Sequence, residues 1–310
     1  MAVPQGTIGI VSIGEMGAGI ASLLLDHGYR VLTNVSDRSE TTRARAISAG
    51  IELVDTDESL FTQSHYILSI VPPRDAISTA RRFVNTFKSS TPPPKPMTRY
   101  VDLNAISPST ANEIAALFFP TPIRFIDGGI IGPAPKALPG AYWSQPSLVV
   151  SGPHQIHDDL AQALNALHVA DTIGPASGLK MCFASMTKGL TAIAIQSFAT
   201  AHNLGVLEQL QLHLKEYSPK TRELVARSLT GMPPKAYRWV DEMKEIATTF
   251  RDQGGFEQDM FTAVSEVYRF VAEETELGKE RTESRKVGQT PEDVARRVAE
   301  GIERKKVKVE

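Results

Sequence analysis

The stretch from Thr7 to His27 does most to limit what this chain can fold into. Thr7 to Ile13 is apolar and rich in β-branched residues, which reads as a buried strand. It runs straight into Ser12, Ile13, Gly14, Glu15, Met16 and Gly17, and an apolar helical pattern continues to about His27. A strand, a glycine-bearing turn and a helix in that order open a doubly wound sheet. The turn is a GxGxxG loop with serine in first place. Such a loop needs a tight turn, then a residue without a side chain where backbone meets a pyrophosphate, then close helix packing; the helix N-terminus supplies amide donors and the positive end of its dipole. Gly14 and Gly17 keep the second and third of these, while Ser12 adds a Cβ at the turn and predicts a slightly displaced loop. Asp37 lies 20 residues beyond Gly17, the spacing of the acid that meets a ribose. The expectation is a dinucleotide cofactor.

Which dinucleotide depends on Ser36, Asp37, Arg38 and Ser39, just after the second strand. Asp37 suits the ribose hydroxyls of NAD, whereas Arg38 suits a fork to the 2′-phosphate of NADP, with Ser36 or Ser39 donating. The two readings conflict, because an aspartate facing a phosphate repels it. With Asp37 turned away to orient Arg38, NADP is favoured over NAD.

Strand-like runs recur at Arg30 to Val35, Ile51 to Val54, Tyr66 to Val71 and Tyr100 to Leu103, with helical patterns between them. The alternation implies an α/β, Rossmann-like domain with a mostly parallel sheet over residues 1–173. Ser107 before Pro108 is a helix start, and Pro92 to Pro96 reads as a stiff surface loop. A further β pair is expected from Ile123 to Asp127 and Ser147 to Ser151, joined by a Gly- and Pro-rich loop over Gly128 to Gly140. From Gly174 the texture is helical, so residues 174–310 are expected to form an all-α domain. Its last helix opens at Thr290, Pro291 and Asp293 and is expected to fray from Arg304.

With 33 Lys plus Arg against 35 Asp plus Glu, the chain lacks the basic field that nucleic acid or an anionic membrane needs. Lys188 interrupts the most apolar stretch, Leu179 to Ala201, which argues for a buried helix and against a membrane span. A single cysteine, Cys182, and no evident targeting segment suit a reducing, cytoplasmic setting.

In order along the chain, the sequence resembles the β-hydroxyacid dehydrogenase superfamily, which includes 3-hydroxyisobutyrate and 6-phosphogluconate dehydrogenases. The resemblance rests on Met16 and Gly17 in the loop and on Val71 and Pro72 ending the fourth strand. It includes DLNAISP from Asp102 to Pro108, paired Gly128 and Gly129, and Gly174 followed six residues later by Lys180. The run from Met232 to Met243 is similar to a poorly characterised branch with a 6-phosphogluconate dehydrogenase-like C-terminal domain. The resemblance implies a homodimer with active sites between domains, a small carboxylate-bearing substrate, and Lys180 as the catalytic general base. It also implies cofactor contacts at Val71, Pro72 and Asn104, and substrate contacts at Asn104, Gly128 and Gly129. A lysine serves as a base when desolvation or neighbouring positive charge lowers its pKa toward neutrality.

Four positions depart from the family. Asn104-Ala105 stands where Ser-Thr is usual, Asp127 precedes the glycine pair in place of serine, and Ala184 replaces an asparagine four residues after the lysine. Gly128 and Gly129 have a simpler reading as a tight turn needing positive φ. Lys188 lies eight positions after Lys180, a rotation of about 80° on a helix, so it either binds an anionic substrate group beside Lys180 or snorkels from the helix. Tyr237, Arg238 and Trp239 either close the site or, for Trp239, pack in the core. His154, His157, Asp158 and Asp159 read as a solvated helix start with no metal, and Cys182 as a core thiol. The sequence therefore predicts an NADP-dependent oxidoreductase acting on the CH–OH of a carboxylate-bearing hydroxy acid. Imine reduction and a non-catalytic NADP-binding regulator are the alternatives.

Overall fold

Parallel strands and crossover helices alternate from Thr7 onward, because each apolar strand needs a helix to cover it before the chain can return in the same direction. The computed structural model describes residues 5–90, 98–140, 142–257, 260–282 and 284–309, so Pro92 to Pro96 lies outside the described residues. The first elements are β1 (Thr7–Val11), α1 (Glu15–Asp26), β2 (Arg30–Thr33), α2 (Glu40–Ser48), β3 (Glu52–Leu53), α3 (Asp57–Gln63) and β4 (Tyr66–Ser69). They are followed by α4 (Ala76–Ser89), β5 (Arg99–Asp102), α5 (Pro108–Phe118) and β6 (Arg124–Ile131). Then come β7 (Lys136–Leu138), β8 (Tyr142–Ser144), β9 (Ser147–Ser151), α6 (Asp158–Ala163) and β10 (Ala166–Ala170).

Eight strands form one sheet in the order β10-β9-β6-β5-β4-β1-β2-β3. All its pairs are parallel except β6 with β9. After β1 the chain builds outward through β2 and β3, then returns to place β4 on the other side of β1. The order reverses there, and a crevice opens at the carboxyl ends of β1 and β4. One face of the sheet buries Ile8, Ile10, Ile20 and Leu24, and the other buries Phe61, Phe83, Tyr100 and Phe118. Ser107 accepts from the Thr110 amide at 3.1 Å with Pro108 in the first helical position, which is how α5 starts.

Two parts of the sheet differ from the sequence expectation. Gly128 to Gly140 is not one loop: Gly128 to Ile131 continue β6 against β9, and β7 and β8 form a separate hairpin. Trp143 of that hairpin donates from Nε1 to Asp26 on α1 at 2.8 Å. The edge strand β10 is also unanticipated, since its mixed Leu167-His168 sequence shows no apolar alternation.

The chain divides into two compact units, 1–181 and 182–310. The helix α7 (Pro175–Asn203) begins in the first and continues in the second, so the expected boundary at 173/174 falls at its start. The second unit is helical: α8 (Leu207–Tyr217), α9 (Pro219–Gly231), α10 (Ala236–Gly254), α11 (Met260–Glu274) and α12 (Pro291–Val309). Phe250 of α10 meets Phe261 of α11 edge-on at 5.2 Å. Thr290 accepts from the Asp293 amide at 3.2 Å, and α12 is helical through Val309. Among the described residues no helix is long and apolar enough to cross a membrane.

Candidate active site

At the end of β1, Ser12 holds φ at 77°, the left-handed conformation that glycine adopts freely. For a residue with a Cβ this costs about 1–2 kcal/mol, so the tight turn is kept at the expense of strain in one residue. The two glycines that follow are constrained differently. A Cβ on Gly17 would lie 2.2 Å from the Ser12 carbonyl oxygen, while a Cβ on Gly14 would meet nothing within 4 Å. Gly17 is needed for the packing of α1 against the turn. Gly14 faces open space, and as the N-cap of α1 it has no side chain to occupy the first-turn amides.

That open space belongs to a cavity of about 400 Å³ lined in part by Ser12, Gly14, Asp37, Arg38, Thr42 and Arg45. Arg38 Nε lies 3.3 Å from the Asp37 carboxylate, and both side chains are solvent-exposed. Ser36 donates its hydroxyl to Asn34 Oδ1 at 2.8 Å, and Asn34 in turn donates to Asp57 at 2.8 Å. Ser39 caps α2, accepting from the Thr42 amide at 3.3 Å. Two lining cations were not anticipated. Arg45 donates to the Ile13 carbonyl at 3.1 Å, and Arg82 pairs with Asp57 at 2.8 Å.

Beyond β4 the backbone amide of Val71 donates to Asn104 Oδ1 at 2.7 Å. Asn104 Nδ2 donates to Ser69 Oγ at 3.1 Å and to Asp102 Oδ2 at 2.9 Å, and the residue is 2% exposed. Its side chain ties the carboxyl ends of β4 and β5 together, with both amide hydrogens already engaged. Pro72 follows directly and leads into a single 3₁₀ turn, Pro73–Asp75.

Asp127, fully buried at the centre of β6, organises the start of α7. Its Oδ2 accepts from the Gly174 amide at 2.9 Å, the Ser177 amide at 3.2 Å and Ser151 Oγ at 2.9 Å. Its Oδ1 accepts from Ser177 Oγ at 2.5 Å, and Ser151 Oγ accepts from the Ala176 amide at 3.0 Å. The amides left open at the start of α7 are thus satisfied by a carboxylate from the sheet. Burial pushes the Asp127 carboxyl pKa above the usual aspartate range, against the hydrogen bonds from Ser177, Ser151 and Gly174.

Gly128 and Gly129 are extended strand residues, so the reading of a positive-φ turn gives way to one of close approach. A Cβ on Gly129 would lie 2.8 Å from Lys180 Cβ, and one on Gly128 would lie 2.8 Å from Leu103 Cδ2. Because residue 129 has no side chain, α7 lies directly on β6 at Lys180. Lys180 is half-buried, and no described residue pairs with its ammonium.

Lys188 neither snorkels nor lies unpaired. Its ammonium is ion-paired with Glu242 and sits 5.2 Å from the centre of the Trp239 ring, and the Tyr268 hydroxyl donates to its carbonyl at 2.5 Å. Trp239 packs edge-on against Tyr268 at 5.1 Å, while Tyr237 is exposed. Cys182 is exposed on α7, correcting the expectation of a core thiol.

Residues 7–174 match the model of the NAD binding domain of 6-phosphogluconate dehydrogenase, and residues 201–271 match a domain of unknown function (DUF1932). The 2-(hydroxymethyl)glutarate dehydrogenase of Eubacterium barkeri is 22% identical over 258 residues, 82% of this chain and 78% of that protein. The structure of 3-hydroxyisobutyrate dehydrogenase from Salmonella typhimurium superposes with a TM-score of 0.62 at 17% identity, covering 94% of this chain and 99% of that one. An imine reductase from Myxococcus stipitatus in complex with NADP+ gives 0.52 at 18% identity, with the same coverage. The family match spans more than half the chain, and residues 7–174 take in the β1 loop and the glycine pair described above. The chain therefore belongs to the 6-phosphogluconate dehydrogenase NAD-binding family, within the β-hydroxyacid dehydrogenase superfamily of NAD(P)-dependent dehydrogenases and reductases.

Proposed function

We propose that the chain is an NADP-dependent oxidoreductase that interconverts the CH–OH group of a carboxylate-bearing hydroxy acid and its carbonyl, with Lys180 as general acid/base. One observation carries the reading: Lys180 presents an ammonium that no described residue neutralises, on a helix fixed to the sheet by Asp127 and seated on Gly129. The residues at the β1 turn fit a dinucleotide, since Gly14 leaves backbone amides open beside a cavity that also carries Arg38 and Arg45. Arg38 held by Asp37 favours a 2′-phosphate over a bare ribose, because the aspartate is then spent on the guanidinium.

When bound, the nicotinamide supplies the hydride acceptor or donor. In the neutral amine form Lys180 takes the hydroxyl proton at Nζ during oxidation, and as the resulting ammonium it returns that proton in the reverse direction. Asn104 contributes by holding the ends of β4 and β5, and Val71, Pro72, Gly128 and Gly129 shape the floor with backbone atoms. The imine reductase fold match leaves C=N reduction as the competing chemistry; a lysine positioned to protonate an alkoxide favours the C=O reading. A homodimer belongs to the proposal, supported by the exposed Leu179, Phe183, Met186 and Ile193 at helical spacing on α7. So does a reducing cytoplasmic location.

The test is Lys180→Ala, assayed on the best substrate from a panel of hydroxy acids. Turnover should fall by about 10²–10⁴-fold, while NADPH still raises the melting temperature as in the wild type. Retained turnover would remove the lysine from the mechanism.

A further inference from the structure

The sheet carries a second cavity at the opposite end of its strands, of about 350 Å³, where β1, β4 and β5 begin. Strand β1 separates the two, with Ile8 lining this cavity and Val11 and Ser12 lining the other, so about 10–13 Å of extended chain intervenes. The pairing register places Ile8, Tyr66, Arg99 and Arg124 side by side on neighbouring strands. Ile8, Leu160 and the rings of Tyr29 and Tyr66 give the cavity apolar walls.

Arg99 lines this space in a state that calls for a partner. It is 9% exposed, its Nε has no hydrogen-bond acceptor, and no carboxylate among the described residues pairs with it. Its one contact of note is with the Tyr66 ring, whose centre lies 5.2 Å from the guanidinium carbon. A buried arginine without an anion is costly, and structures seldom keep one unless something fills the place. The Tyr66 hydroxyl accepts from the His157 amide at 3.0 Å and keeps its own hydrogen to donate, and His65 Nδ1 accepts from the Thr7 amide at 3.1 Å. The Tyr29 hydroxyl and the Arg99 guanidinium line the cavity, together with the His157 imidazole and the Asp159 carboxylate. Burial first, then Arg124 and Arg99, depress the pKa of the neighbouring His154, while burial and then Asp159 raise that of Tyr29.

We infer that this cavity is a binding site for a small monocarboxylate with a flat apolar body, its carboxylate forked by Arg99 and its body held between Tyr29 and Tyr66. A guanidinium matches a carboxylate in a planar, two-bond fork, and a mostly apolar pocket with few convergent polar groups suits a ligand of this kind. A phosphate fits poorly. Among the described residues no glycine-rich turn supplies backbone amides here, and Asp159 at the lining opposes a second negative charge.

Calorimetric titration of the full chain tests the site, run in a Lys180→Ala background so that any carboxylate pocket at that lysine does not dominate. Benzoate should bind saturably and at least about tenfold more tightly than the uncharged benzamide, the ratio expected for one charge-assisted fork. Arg99→Gln should remove that preference while circular dichroism shows an unchanged fold. Should Arg99→Gln fail to fold, Asp159→Asn decides, because the residue is exposed and loss of its charge should tighten benzoate severalfold. Equal binding of benzoate and benzamide, saturable inorganic phosphate in place of benzoate, or indifference to Asp159→Asn would each overturn the inference.

Discussion

Replacing Asp127 by alanine isolates the contribution of one buried carboxylate to the geometry of the site. The substitution removes the acceptor of two obligate donors, the amides of Gly174 and Ser177, and of two hydroxyls, Ser151 and Ser177. The hydroxyls can rotate toward other acceptors, but the amides are fixed by the backbone of α7. Each buried amide left unsatisfied costs about 1–3 kcal/mol, so the pair predicts a loss of roughly 2–6 kcal/mol. For a unit of this size that is a fall of about 2–4 °C per kcal/mol, or roughly 8–16 °C at the middle of the range. Differential scanning calorimetry measures it directly. A fall of under about 3 °C would show that the start of α7 does not depend on Asp127, and the account of how Lys180 is held would fail with it. The pH dependence supplies an independent sign. Burial raises the folded-state pKa, so the protonated form is favoured on folding and this contribution is lost as pH rises through that pKa. Asp127→Asn mimics the protonated form at every pH. The melting temperature of the wild type should therefore fall relative to that of Asp127→Asn as pH climbs above the ordinary aspartate range near 4, and a flat or rising difference would refute the direction.

Gly17→Ala forces a Cβ to within 2.2 Å of the Ser12 carbonyl oxygen, so the turn must shift; dinucleotide-induced stabilisation in a thermal-shift assay should be lost. Arg38→Ala should weaken NADPH binding selectively, and an equal loss for NADH would mean that this guanidinium does not read the 2′-phosphate. Lys188→Met leaves Glu242 buried without its cation, which should cost about 3–5 kcal/mol, and the double variant with Glu242→Leu should recover most of that in a denaturant titration.

What could be read from the sequence was local. The turn, the first five strands and the start of α5 announce themselves through glycine spacing, β-branched runs and a Ser-Pro cap, each within a few residues. What escaped was long-range. Asp127 reads as a departure from a family pattern, yet its partners lie 24 to 50 residues away, and nothing near it reports that it holds a helix. Glu242 neutralises Lys188 across 54 residues, which is why a pair looked like a free cation. For the glycine pair only the alternative of a positive-φ turn gives way, since a strand covered by a helix demands the same absence of side chain as a turn. The conformation of Ser12 was hidden because few residues other than glycine take positive φ.

The two glycines of the β1 turn answer to different authorities. Gly17 is dictated by the chain itself, so it must persist for as long as the fold does. Gly14 has empty space before it, so only a visitor to the loop objects to a methyl group there. A descendant of this protein that had abandoned its dinucleotide would be free to drift at 14 while remaining fixed at 17. Residue 14 thus answers to ligand use and residue 17 to architecture.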